Sequence, residues 1–213
     1  MSYPAMPSSL TAWASMATLA VAAAFAAPGA QAATAWDESV SGDFSNNGLT
    51  PNTVSLTAGS NFVVGATGRN AQSVVDRDYF TFTLAEGFQL DALIVLPGST
   101  FLGPESISFI AFQAGPLFTV SPTSNSPEGL LGYWLYGPND LGLDILQQMG
   151  SSPGATGFFG SLPAGTYSVW IQETGTGVAN YNFDFQVSQV PEPGTALFMA
   201  AGLAALGWRA RRR

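Results

Sequence analysis

The chain has 213 residues, with 14 Asp and Glu against 6 Lys and Arg, no His, no Cys and only 9% charged residues. Without thiols or imidazoles it has no disulfide, no thiolate or imidazole metal ligand, no Ser-His-Asp triad and no cysteine nucleophile. All six cations are Arg and four of them fall in the last five positions, so the clustered positive charge that nucleic-acid binding requires is missing from the rest of the chain.

The first 36 residues carry no charged side chain, and residues 10–27 form an Ala-rich apolar run that includes Trp13, Leu19, Val21 and Phe25. Ala30-Gln31-Ala32 follows, just beyond Pro28-Gly29. An apolar run leading into a triplet with small residues at its first and third places has the form of a secretory signal peptide, with signal peptidase cutting between Ala32 and Ala33. The expected signal spans residues 1–32, although the usual Lys or Arg ahead of the apolar run is lacking.

Residues 33–189 are enough for one domain with its own core. They hold 13 acidic residues against Arg69 and Arg77, a net charge of −11. Such a surface repels other polyanions and suits weak cation binding. Segments 52–56 and 61–64 read as weak strands. From Asp78 onward the pattern alternates with period two, with Phe80, Phe82 and Leu84 on one face and Tyr79, Thr81 and Thr83 on the other. Segments 90–96 and 106–112 are apolar on both faces, as central strands are. Residues 139–150 have helical spacing, with Asn139 as cap, Leu143, Leu146 and Met149 on one stripe and Gly150 as stop. Tyr167, Val169 and Ile171 then form an inward row, and Tyr181, Phe183, Phe185 and Val187 another. Turn signals such as Ala58-Gly59, Glu86-Gly87, Pro97-Gly98 and Gly115-Pro116 separate the strands. Short strands spaced by such turns predict an all-β fold, a single antiparallel β-sandwich.

Asp76-Arg77-Asp78-Tyr79-Phe80-Thr81-Phe82, followed by Glu86-Gly87 and an apolar strand, resembles the opening of bacterial pre-peptidase C-terminal domains. Leu162-Pro163-Ala164-Gly165-Thr166-Tyr167-Ser168-Val169 is similar to their closing strand, and residues 109–115 to the strand and turn between. The resemblance implies a jelly-roll-like sandwich used as a non-catalytic accessory module. This chain departs from that habit in having no catalytic domain to serve.

Asp76 and Asp78 flank Arg77 at the start of a strand, with Asp37, Glu38 and Asp43 as neighbours earlier in the chain. Ca²⁺ takes about six to eight oxygen ligands, so Asp76 and Asp78 would begin a calcium site rather than complete one; a turn acid paired with Arg77 is the plainer reading. Tyr133-Trp134-Leu135-Tyr136 places Trp134 and Tyr136 on one strand face, a platform on which a sugar ring could stack, against the commoner fate of core packing. Trp170 stands under the same two readings. Many carboxylate pairs exist but no motif fixes one, and glycosidases need two in a cleft about 5 to 10 Å apart, so no catalytic site is expected.

The C-terminal residues 190–213 read Val190, Pro191-Glu192-Pro193, Gly194, fourteen uncharged residues over 195–208, and then Arg209, Arg211, Arg212 and Arg213 around Ala210. Fourteen residues are short for a helix that crosses a bilayer, which needs about 20. The Arg cluster would stay cytoplasmic and leave the domain outside. The three parts in this order resemble the PEP-CTERM sorting signal of Gram-negative bacteria. That resemblance implies an exosortase as processing enzyme, a short transmembrane helix held only until processing, and delivery to a cell surface or matrix rich in extracellular polysaccharide. A purely structural matrix protein and a carbohydrate-binding module are the two alternatives for the domain.

Overall fold

The structure, a computed structural model, describes residues 32–69, 74–103, 106–190 and Gly202. Apart from Ala32, Ala33, Val190 and Gly202, the expected signal peptide, Pro-Glu-Pro motif, membrane helix and Arg tail lie outside the described residues. Among the described residues no helix is long and apolar enough to cross a membrane.

The chain is mostly β, and its strands form one curled, largely antiparallel sheet. In chain order the elements are β1 (Ala33–Asp37), α1 (Glu38–Ser41), β2 (Asn52–Thr53), β3 (Gly59–Arg69), β4 (Val75–Leu84), β5 (Phe88–Val95), β6 (Ser108–Ala114), β7 (Gly132–Tyr136), a 3-10 turn (Pro138–Asp140), α2 (Leu146–Gly150), β8 (Gly165–Glu173) and β9 (Val178–Gln189). The spatial order is β5-β9-β3-β4-β8-β6-β7. β3 pairs with β9 from Gly59↔Val187 to Gly68↔Val178, and β4 with β8 from Arg77↔Gln172 to Leu84↔Gly165. β3 and β4 meet only at Gly68↔Asp76 and Arg69↔Val75, so the sheet folds there and its two halves face each other. The short β1 and β2 add in parallel to β3 and β4.

The core lies between the halves and is built from the inward rows that alternation predicts. Phe80 and Phe82 of β4 meet Phe185 of β9 edge-on at 5.9 and 5.8 Å, and Tyr136 of β7 meets Phe183 at 5.1 Å. Edge-to-face packing of this kind is favoured by the ring quadrupoles and adds to the burial of large apolar surface. Phe183, Phe185 and Tyr167 are all buried, and the Tyr167 hydroxyl donates to Pro163 O at 2.9 Å.

The helix expected over 139–150 is not continuous. Asp140 turns back to accept from Gly137 N at 2.7 Å, and the backbone from 141 to 145 runs beside the edge of β5 instead, with Gly142 N donating to Val95 O and Ile145 N to Leu93 O. Asp144 Oδ1 accepts from both Leu93 N and Leu146 N. Only Leu146–Gly150 is helical; Leu146 and Met149 are buried and Leu143 is exposed. Pairing with the free edge of β5 gives these amides partners that an isolated short helix would have to supply alone.

Candidate functional site

Two places in the described residues combine polar groups with geometry suited to a ligand. The first is at the end of the β4 inward row. Asp76 and Asp78 are two residues apart and so share the face that carries Phe80, Phe82 and Leu84. Asp78 is 0% exposed. Glu38 and Asp43 come to it from the N-terminal segment, which α1 and the Gly42 turn (φ 89°) fold across this end of the core. Trp36 and Phe44 anchor that segment: Trp36 Nε1 donates to Gly42 O at 3.1 Å, the two rings stack at 4.6 Å, and Phe44 stacks on Phe80 at 4.8 Å. The carboxylates of Glu38, Asp43 and Asp78 then present oxygens within 4.8 Å of one another.

Gly65 on β3 makes room for this arrangement, since a Cβ there would overlap the Tyr181 hydroxyl and stand 2.6 Å from Glu38 Cδ. Tyr181 Oη donates to Asp78 Oδ2 at 2.6 Å and lies 3.5 Å from Glu38 Oε1. Glu38 also accepts from Ala66 N at 2.8 Å and Phe44 N at 3.3 Å. Burial, and then the charge of Glu38, push the Asp78 carboxyl up to about 9 against the pull of the Tyr181 hydrogen bond. Burial likewise raises Glu38, and burial and then Asp43 raise Asp76. Of the two acids singled out in the sequence, Asp78 stands in the cluster, while Asp76 lies beside it and accepts from Asn46 Nδ2 at 3.1 Å. Glu38 and Asp43, named there only as neighbours, are the other two members. Asp37 instead caps α1, accepting from Ser39 N at 2.9 Å.

The second place is on the outer face of the β8–β6–β7 half. Trp170, Ala111 and Tyr133 stand in one row across three strands. Phe109 stands 4.7 Å from Trp170 and 6.0 Å from Tyr133; Trp170 is buried against Tyr79 and Phe118, while Phe109 and Tyr133 are partly exposed. The connection before β7 forms the opposite wall, giving a groove of about 290 Å³ that Ser124, Asn125, Gln172 and Thr174 also line. None of the described side chains lining it is charged.

The sugar platform expected at Trp134 and Tyr136 does not form. Their strand face is the inward one: Tyr136 is 2% exposed between Phe101 and Phe183, and Trp134 packs against the same core with Nε1 donating to Asp140 Oδ1 at 3.4 Å. Their neighbour Tyr133, one residue out of register, is the ring that reaches the groove. No local spacing in the sequence announces the trio Phe109, Tyr133 and Trp170, because it is assembled across strands.

No curated protein and no solved structure matches the chain. Residues 189–213 match the PEP-CTERM protein-sorting motif. The match begins at the last residue of β9, so the motif follows the β-domain directly. The motif marks the chain as an exported protein sorted by an exosortase, a membrane processing enzyme, with transient membrane anchoring before cell-surface or extracellular release.

Proposed function

We propose that the chain is a non-catalytic, glycan-associating protein of the cell surface or extracellular matrix, whose β-domain holds neutral polysaccharide in the groove floored by Phe109, Tyr133 and Trp170. The observation that carries this reading is the groove's composition: aromatic faces for the apolar side of a pyranose ring, amide and hydroxyl groups for its hydroxyls, and no lining charge. The chain's net negative charge would repel polyanions and favours an uncharged glycan. The likeness of residues 76–82 and 162–169 to pre-peptidase C-terminal modules supports an accessory role over a catalytic one. An exosortase destination rich in extracellular polysaccharide supports the same ligand class.

Affinity electrophoresis of the full chain in gels containing neutral or acidic bacterial exopolysaccharides tests the groove. Retardation by a neutral polysaccharide, lost on Tyr133→Ala, is the expected outcome. Equal mobility in all gels would leave a structural matrix protein without a discrete site. Processing is tested by intact-mass spectrometry of surface material from the native host: the mature protein is expected to begin at Ala33 and to lack Trp208 and the terminal Arg residues. Their recovery in full would replace a transient sorting stage with a permanent tail anchor.

A further inference from the structure

The described residues contain three buried acids, and two of them are provided for. Glu173 accepts from Ser108 Oγ at 2.6 Å and Gly175 N at 2.7 Å, one bond on each oxygen. Asp184 accepts from Asn61 N and Gln186 Nε2, both at 3.0 Å, again one on each. Asp78 differs, because Tyr181 serves Oδ2 while Oδ1, buried, accepts no hydrogen bond, and the other side chain within reach of this carboxyl is that of another acid, Glu38. A buried carboxyl oxygen without a partner is a costly feature for a fold to carry. The groups closing on it add to the problem, since Glu38, Asp43 and Asp76 all act on Asp78 as like charges. Gly65 makes this crowding feasible where any Cβ would have kept Tyr181 and Glu38 apart.

We propose that Glu38, Asp43 and Asp78 bind a calcium ion, which ties the N-terminal segment of the domain to β4. Every donor is a carboxylate oxygen and the chain has neither His nor Cys, so the donor set selects a hard cation. Three carboxylates fall short of calcium's usual complement of about six to eight oxygens, which leaves positions for water and gives an affinity in the range of extracellular modules, Kd about 10⁻⁴ to 10⁻³ M. The ligands come from α1, from the turn after it and from β4, so the ion bridges pieces of chain about 40 residues apart in sequence. Because the chain is exported, the ion joins it where calcium is plentiful, and the segment that follows the expected cleavage point is locked down after translocation.

The full-length chain in non-ionic detergent is melted in EDTA, in 10 mM CaCl₂ and in 10 mM MgCl₂, and calcium binding is followed by isothermal titration calorimetry. Calcium is expected to raise Tm by several degrees, since it binds the native state alone, and magnesium by much less. Asp43 is exposed and bears on its neighbours as a like charge, so Asp43→Asn is expected to melt no lower than the native chain in EDTA while weakening calcium at least tenfold. Asp78→Asn is expected to abolish the calcium shift. Identical melts with and without calcium, an equal shift from magnesium, or a calcium shift that survives both substitutions would each overturn the assignment.

Discussion

The inward row of β4 runs Asp76, Asp78, Phe80, Phe82, Leu84, and it changes character within a single step of the pleat. Phe80 and Phe82 each meet Phe185 from the facing half of the sheet, and Phe82 also meets Phe112 of its own half, so the rings find their partners within the chain. At Asp78, equally buried, the neighbours are a tyrosine hydroxyl and other acids, and one oxygen is left without a partner. Burial alone therefore does not distinguish structure from function along this strand. What distinguishes them is whether the buried group's demands are met by the protein itself.

The sharpest way to test the self-sufficient half is to remove one ring. Phe183→Ala or Phe185→Ala is expected to cost about 3–5 kcal/mol, read from urea midpoints, with no change in calcium binding. A loss below about 1 kcal/mol would mean that the rings are not packed as described. The acidic corner has a smaller structural cost and a larger functional one. Gly65→Ala should destabilise by about 1–3 kcal/mol by pushing the Tyr181 hydroxyl and Glu38 aside, and should weaken calcium as well. Loss of stability with calcium affinity intact would separate Gly65 from the site.

A third difference lies in pH. In EDTA, a carboxyl held at about 9 in the folded chain against an ordinary 3.8 keeps its proton, so its contribution is fully present below about pH 4. That contribution is lost as pH rises toward 9. The comparison that isolates it is the slope of stability against pH for the native chain and for Asp78→Asn, whose slope should be shallower between these limits. Parallel slopes would show that Asp78 is already ionised without a cation. The smallest structural effect is expected in the groove: exposed Asn125→Ala should change stability by no more than about 0.5 kcal/mol while reducing retardation by neutral polysaccharide. An unchanged retardation would move the glycan contacts off that wall.

Strands β4, β8 and β9 were legible because half-buried strands alternate strictly, and Phe80/Phe82/Leu84 or Tyr181/Phe183/Phe185 declare their face without help from the rest of the fold. β1 was not, since Ala33–Asp37 has no alternation and owes its form to parallel pairing with β3. The period-3.6 pattern over 139–150 was real but lost to the edge of β5, a partner no local rule displays. The acidic corner was half legible. Asp78 stood out for its place at a strand start, but strand geometry gives no reason to prefer it to Asp76, and the choice is made by Asn46, which engages Asp76, and by the α1 turn, which delivers Glu38 and Asp43. The groove was legible only in pieces: Trp170 and the run containing Tyr133 stood out as aromatic, but Phe109, Tyr133 and Trp170 become neighbours only through the β8–β6–β7 register.

The most direct measurement of the difference between the two ends of the β4 row is a crystal structure of the protein grown in calcium, with anomalous data. An anomalous peak is expected among Glu38, Asp43 and Asp78, with Asp78 Oδ1 about 2.3–2.6 Å from it and water completing the shell. A direct hydrogen bond between the Asp78 and Glu38 carboxyls, with no ion between them, would contradict it: the corner would then be closed by a shared proton, and as self-sufficient as the aromatic core.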